Sequence, residues 1–224
     1  MLTILAAEAQ TRVAADVTIQ QVHKGKSVRV EKQVYYNANG SLVVHFTYPT
    51  QYYVITNRLG ETSVYQPQTN EVMQMNDASV SSEDEMIALF MTPNYTDLGL
   101  QQLGFVLNKV ERKGGDQIGT YVPTGNNSRD ISRAVVVCRE GNPIYCAFYD
   151  HDGLMTRKTY YSRYTEFRTF TMPTLVTQIA YNGLGDSVIK REEYRNIRTE
   201  GFGSESLFDF TIPNNAKRVS PKTR

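Results

Sequence analysis

The sequence predicts a mainly β protein with short helices, an α+β chain built on one large antiparallel sheet that is curled or barrel-like. Three observations predict it. Apolar and polar residues alternate in short runs along most of the chain, which is the period of a half-buried strand. Clusters of Gly, Asn, Asp and Pro separate those runs at hairpin spacing. The aromatic residues are 15 Tyr and 9 Phe with no Trp. Tyrosine suits a sheet with half-wet faces, because its ring packs while its hydroxyl reaches water.

The 224 residues are 40% hydrophobic and 21% charged, enough apolar surface for a core and too much for a disordered chain. No linker composition interrupts them, so a single domain over 1–224 is expected. The net charge of +1 speaks against nucleic-acid binding, which depends on clustered Lys and Arg. The basic end, Lys217-Arg218 with Lys222 and Arg224, reads as a solvated terminus. No apolar run approaches the ~18 residues of a membrane-crossing helix.

The first residues allow two readings. Ala7-Glu8-Ala9 has the small-x-small form of a signal-peptidase site, without a basic segment before it. Leu2, Leu5, Ala6, Ala9 and Val13 instead follow the helical i, i+3, i+4, i+7 pattern. The helix, Leu2 to Ala15, is the expectation. Strands are then expected at Asp16 to His23 and Ser27 to Tyr36, with a turn at Asn37-Ala38-Asn39-Gly40, where Asn and Gly accept positive φ. A meander follows: Ser41 to Tyr48, ended by Pro49, then Gln51 to Thr56, Glu61 to Gln66 and Glu71 to Met75.

The pattern changes at residue 81. Ser82 with Glu85 forms a capping box before Met86, Ile87, Leu89 and Phe90, and Thr96 or Asp97 is placed to cap a second helix running to about Gly104. This insertion, about 82–104, reads either as a plug on the sheet or as a movable cover over an apolar cavity, which methionine lines well. From Phe105 the strand pattern resumes. Strands are expected at Phe105 to Arg112, Gln117 to Val122, Ser132 to Arg139, Ile144 to Tyr149, Leu154 to Phe167, Thr174 to Tyr181, Ser187 to Arg198 and finally Leu207 to Ile212.

Few residues suggest chemistry. Cys138 and Cys146 flank one hairpin with the same parity. A three-residue loop centred on Asn142 would set them opposite at disulfide distance; the other reading is two small buried thiols. His23, His45 and His151 are scattered, with no partner at metal-ligand spacing. Asp150-His151-Asp152-Gly153 reads as an Asx turn between strands, and Gly183-Leu184-Gly185-Asp186 as a hairpin turn. No metal, cofactor or catalytic residue is expected.

Several stretches, in order, resemble the bacterial periplasmic lipoprotein carriers of the LolA type. They are Gly40-Ser41-Leu42, His45-Phe46-Thr47-Tyr48-Pro49, Leu59-Gly60 and Val64-Tyr65-Gln66-Pro67, followed by the helical insertion. The Asp150 and Gly153 turn before a long strand, and Phe208-Asp209-Phe210-Thr211-Ile212-Pro213, complete the series. The chain departs from the family in having no Arg-Pro before its aromatic strand and no Trp, and Thr169 to Glu200 resembles an added long hairpin. The resemblance implies a strongly curved, incomplete β-barrel covered by helices, exported to the periplasm without its signal peptide in this chain. It implies a non-enzymatic monomer that carries the acyl chains of a lipoprotein or lipid in an apolar concave cavity, between membrane-bound donor and acceptor proteins. Phe46, Tyr48, Ile55, Met86, Leu89 and Phe90 are the expected ligand-binding residues. The alternative is a protein-interaction or envelope-stress sensor module on the same scaffold.

Overall fold

The structure, a computed structural model, describes residues 12–75, 86–91, 95–125, 130–182, 185–203 and 206–220. These residues form a 14-stranded sheet. In chain order the strands are β1 (Arg12–His23), β2 (Lys26–Asn37), β3 (Leu42–Tyr48), β4 (Tyr52–Thr56), β5 (Thr62–Gln66) and β6 (Glu71–Met75). Then come β7 (Phe105–Lys113), β8 (Asp116–Pro123), β9 (Arg133–Arg139), β10 (Asn142–Tyr149), β11 (Met155–Glu166), β12 (Thr171–Tyr181), β13 (Ser187–Arg198) and β14 (Lys217–Val219). Hydrogen bonding orders them β14-β6-β5-β4-β3-β2-β1-β13-β12-β11-β10-β9-β8-β7. By packing, the chain divides into two compact units, the first drawn from 1–16, 32–88 and 196–224, the second from 17–31 and 89–195.

In the first unit β3 to β6 form the expected meander. Val43 pairs with Ile55 and Ile55 with Ser63; His45 pairs with Tyr53 and Tyr53 with Tyr65. One sheet face therefore holds Val43, His45, Tyr53, Ile55 and Tyr65. The other holds Leu42, Val44, Phe46, Tyr52 and Val54, because side chains alternate across a strand. Leu42, Val43 and Val44 are all buried, so β3 is covered on both faces at its start. The turn before β3 is built as the sequence predicts: Gly40 takes φ 90°, and the Asn39 Oδ1 accepts a bond from the Ser41 amide at 2.9 Å.

In the second unit β7 to β13 pair antiparallel in sequence order. Its core gathers Leu100, Phe105, Tyr121, Ala134, Val136, Cys146 and Phe148. A second knot packs Phe90 against Tyr95, Tyr161 and Tyr164. The Tyr164 hydroxyl donates to the Pro143 carbonyl, which satisfies the polar tip of a half-buried ring.

Three expectations are corrected. The predicted N-terminal helix extends to Ala15, but Arg12 onward is strand β1. Val13, Ala14 and Ala15 are each buried, and burial on both sheet faces outweighs the small helical preference of alanine. Leu2 to Thr11 lie outside the described residues. The cover of helices is likewise not found. The described residues contain one five-residue helix, α1 (Met86–Phe90), and a short 3-10 turn at Tyr95–Asp97. Asp97 does receive the amide of Gly99 at 3.0 Å, but Leu98 and Gly99 take φ of 55° and 75°, and two left-handed residues stop a helix there. The capping pair Ser82 and Glu85 lies outside the described residues.

The last predicted strand, Leu207 to Ile212, is not a strand. Its alternation has another cause: Phe208 and Phe210 belong to a segment that packs its rings onto a sheet face without joining the ladder. At the basic end Lys217 and Arg218 are exposed, as expected, and Lys222 and Arg224 lie outside the described residues. Lys217–Val219 forms β14 and pairs parallel with β6, anchored by the Lys217 amide on the Asn70 carbonyl at 2.9 Å.

A candidate apolar pocket

In the first unit, Phe202, Leu207, Phe208 and Phe210 pack over the face that holds Val43, Tyr53 and Ile55. Phe210 stacks on Tyr53 with centroids 4.4 Å apart. Phe208 meets Tyr35 edge-on at 5.3 Å, and the guanidinium of Arg12 lies 5.1 Å from the Phe208 ring centroid. Arg12 also bonds Asp209 at 3.3 Å, so the segment is pinned by both aromatic and charged contacts. Between segment and sheet a cavity of about 390 Å³ remains, lined by Val43, Ile55, Phe208 and Phe210 and edged by Ser41 and the β4–β5 turn. Leu59 of that turn is 84% exposed beside it. The volume lies within the range of about 300–1,000 Å³ usual for small-molecule pockets.

The six residues expected to bind a ligand fall in both units, Phe46, Tyr48, Ile55 and Met86 in the first and Leu89 and Phe90 in the second. Ile55 lies on the pocket wall. Phe46 is on the opposite face of the sheet, stacked on Tyr52 at 4.2 Å with Lys32 over its ring. Tyr48 shares the parity of Phe46 and is 52% exposed at the end of β3, where the peptide to Pro49 is cis. Met86 and Leu89 are half-buried. Phe90 is 1% exposed, a core side chain of the second unit packed on Tyr95, Tyr161 and Tyr164. Sequence reading missed Phe208 and Phe210 as lining residues. Their i, i+2 spacing showed that they share a side, but the same spacing serves a strand and an extended cover equally.

Polar groups near this face form a chain. The Asn196 amide bonds Asp16 at 2.7 Å, Gln33 Nε2 donates to Asp16 at 3.2 Å, and Gln33 Oε1 faces His45 Nδ1 at 3.4 Å. Gln51 Nε2 lies 3.1 Å from His45 Nε2. These partners assign a neutral His45 with its proton on Nδ1, since Nε2 must accept from Gln51. Burial pushes the His45 pKa below its ordinary value, in agreement with that assignment.

The two cysteines are free. Cys146 pairs with Val136 and Cys138 with Pro143, with a bulge between Pro143 and Tyr145. The bulge shifts the register, so the two thiols are diagonal rather than opposite, and diagonal positions lie beyond easy disulfide reach. Burial pushes the Cys146 thiol up to about 12 and raises that of Cys138, so both stay protonated and unreactive at neutral pH. His23 bonds Asp186 at 3.0 Å. Asp150 Oδ1 accepts the Leu154 amide at 2.8 Å, four residues on rather than the two of the expected Asx turn. Among the described residues no three His, Cys, Asp or Glu side chains gather to hold a metal ion.

No protein-family model and no curated protein matches the sequence. Solved structures do match the fold. A LolA superfamily protein from Nitrosomonas europaea has 13% identity and a TM-score of 0.58, with 89% of this chain and 90% of that one covered. A DUF1329 family protein from Desulfovibrio piger has 17% identity and a TM-score of 0.60, covering 90% of each chain. A domain described as outer membrane lipoprotein-sorting, from Vibrio parahaemolyticus, has 15% identity and a TM-score of 0.57, covering 90% of this chain and 91% of that one. At these identities the likeness is one of architecture, and it agrees with the resemblance carried by the ordered motifs from Gly40 to Pro213: the chain has the fold shared by LolA superfamily and lipoprotein-sorting proteins.

Proposed function

We propose that this chain is an exported, non-enzymatic carrier that works in the periplasm as a monomer and binds an acyl chain of a lipid or lipoprotein. The observation that carries the reading is the apolar pocket of about 390 Å³ on the wall of which Ile55, Val43, Phe208 and Phe210 meet. The fold likeness supports the class of ligand. An acyl chain entering past Leu59 would leave water at about 0.8 kcal/mol for each buried CH₂, with Arg58 of the same turn at the edge of the pocket. In the first unit Phe46 and Tyr48 offer further apolar surface for a second chain or for a membrane-bound donor or acceptor protein.

The test is a detergent-free preparation studied by native mass spectrometry, followed by organic extraction and titration with a fluorescent fatty acyl probe. Bound lipid or saturable probe uptake is expected, and Ile55→Trp, which fills the pocket, should abolish uptake while the fold persists. A clean apo mass with no probe uptake by the unaltered protein would remove the carrier reading.

A further inference from the structure

The second unit presents a surface of different chemistry. Register sets Tyr160 opposite Thr177 and Thr177 opposite Arg191; two residues along, Lys158 faces Ile179 and Ile179 faces Ile189. With Tyr181, these side chains share one face of β11, β12 and β13. Tyr160, Tyr181 and Ile189 are 42%, 39% and 41% exposed. The Lys158 ammonium lies 5.9 Å from the Tyr160 centroid and 5.6 Å from that of Tyr181. Beside them is a depression of about 200 Å³ lined by Arg29, Arg191, Arg195, Glu193, Thr18 and Gln20. Glu193 holds Arg195 at 3.1 Å and Arg163 at 3.3 Å. Those two cations and Arg191 keep its carboxyl below the usual range. One carboxylate thus stands among three guanidiniums, while Arg29 pairs with Glu31. The chain as a whole is nearly neutral at +1, so this positive charge is local.

Exposed tyrosines and an isoleucine bordered by arginines match the interface of a bilayer. Tyrosine rings sit at headgroup level, guanidiniums hold phosphate by paired hydrogen bonds, and anionic lipid attracts each basic residue near the surface. We propose that this face docks the protein on an anionic lipid bilayer, with a lipid phosphate in the depression of Arg29, Arg191 and Arg195 and with Tyr160, Tyr181 and Ile189 at headgroup depth. Charge complementarity selects the anionic surface, and the exposed apolar tips select a bilayer over a soluble acidic partner. The proposal uses no residue of the Ile55 pocket and stands without the carrier reading.

The experiment is flotation of the full chain with phosphatidylcholine vesicles and with vesicles that also contain phosphatidylglycerol, across a salt series. Binding to the anionic vesicles alone, weakened by salt, is expected. Arg191→Gln with Arg195→Gln should weaken it about fivefold per arginine removed. Arg191→Lys with Arg195→Lys should restore the salt dependence but only part of the affinity, because an ammonium lacks the paired bonds of a guanidinium, and Tyr160→Ser should weaken it while the salt dependence stays. Ile55→Trp should leave it unchanged, and the arginine variants should keep acyl-probe uptake, which separates failure here from failure of the pocket reading. Equal binding to both vesicle types, arginine variants that bind as the unaltered protein does, or binding of inorganic phosphate or polyglutamate without binding of vesicles would each overturn the proposal.

Discussion

The two units solve the problem of an exposed sheet face in opposite ways. In the first, the chain folds its own segment back: Phe208 and Phe210 cover Val43, Tyr53 and Ile55, and the imperfect fit leaves an apolar pocket. In the second, the face of β11 to β13 is left open and made wettable by Lys158, Arg191 and Arg195, with tyrosines between them. A covered apolar face gains from burial and leaves room for a ligand that resembles the cover. An uncovered face stays soluble through charge and selects partners by electrostatics. One strand pattern thus serves both units; the cover, not the ladder, decides what each face does.

Breaking the covered interior tests this most strongly. Phe90→Ala removes the ring packed on Tyr95, Tyr161 and Tyr164 and should cost about 3–5 kcal/mol in denaturant unfolding. A loss below about 1 kcal/mol would show that this knot is not core. Phe208→Ala should cost somewhat less, about 2–4 kcal/mol, because the segment it anchors lies at the surface and can resettle. It should also weaken acyl-probe uptake, since the ring is part of the pocket wall; unchanged uptake would argue that the cover does not form the site.

A smaller effect is expected from pH. Burial lowers the His45 pKa in the folded protein, so between that value and about 6.5 the unfolded chain binds more protons. The stability that His45 contributes is therefore present above about pH 6.5 and is lost as pH falls through the folded pKa. Thermal unfolding of His45→Gln should show a shallower acid slope than the unaltered protein; identical slopes would remove His45 from the titration. The smallest effect belongs to the open unit. Arg139 binds Asp116 through two bonds of 2.8 and 3.0 Å, yet both groups face water, and Arg139→Gln should leave the unfolding midpoint within error. A clear drop would show that this exposed pair is more coupled than solvent screening allows.

Most strands were legible because their signal is local. β6, at Glu71–Met75, and β13, at Ser187–Arg198, have the bounds that alternation and turn residues predict. The errors fall where a distant partner decides. Val13 to Ala15 suit a helix by composition, but their neighbours in the sheet bury both sides of the strand. Lys217 to Val219 read as a charged tail, and only the backbone edge of β6 makes them a strand. Ile55 and Phe46 are on different strands, so alternation alone leaves their faces open; the register that pairs Ile55 with Val43 and Phe46 with Tyr52 puts them on opposite faces.

By itself the sequence determined the β class, the positions of nearly all turns and the order of motifs that resembles the LolA type. Each of these rests on φ preferences and on a two-residue period, which are properties of short stretches. Only the tertiary structure decided what lies over each face. It placed Phe208 and Phe210 against Ile55, set Cys146 opposite Val136 rather than Cys138, and brought Arg29 beside Arg191 and Arg195. Those contacts join residues far apart in the chain, and their energies depend on burial that no local pattern encodes.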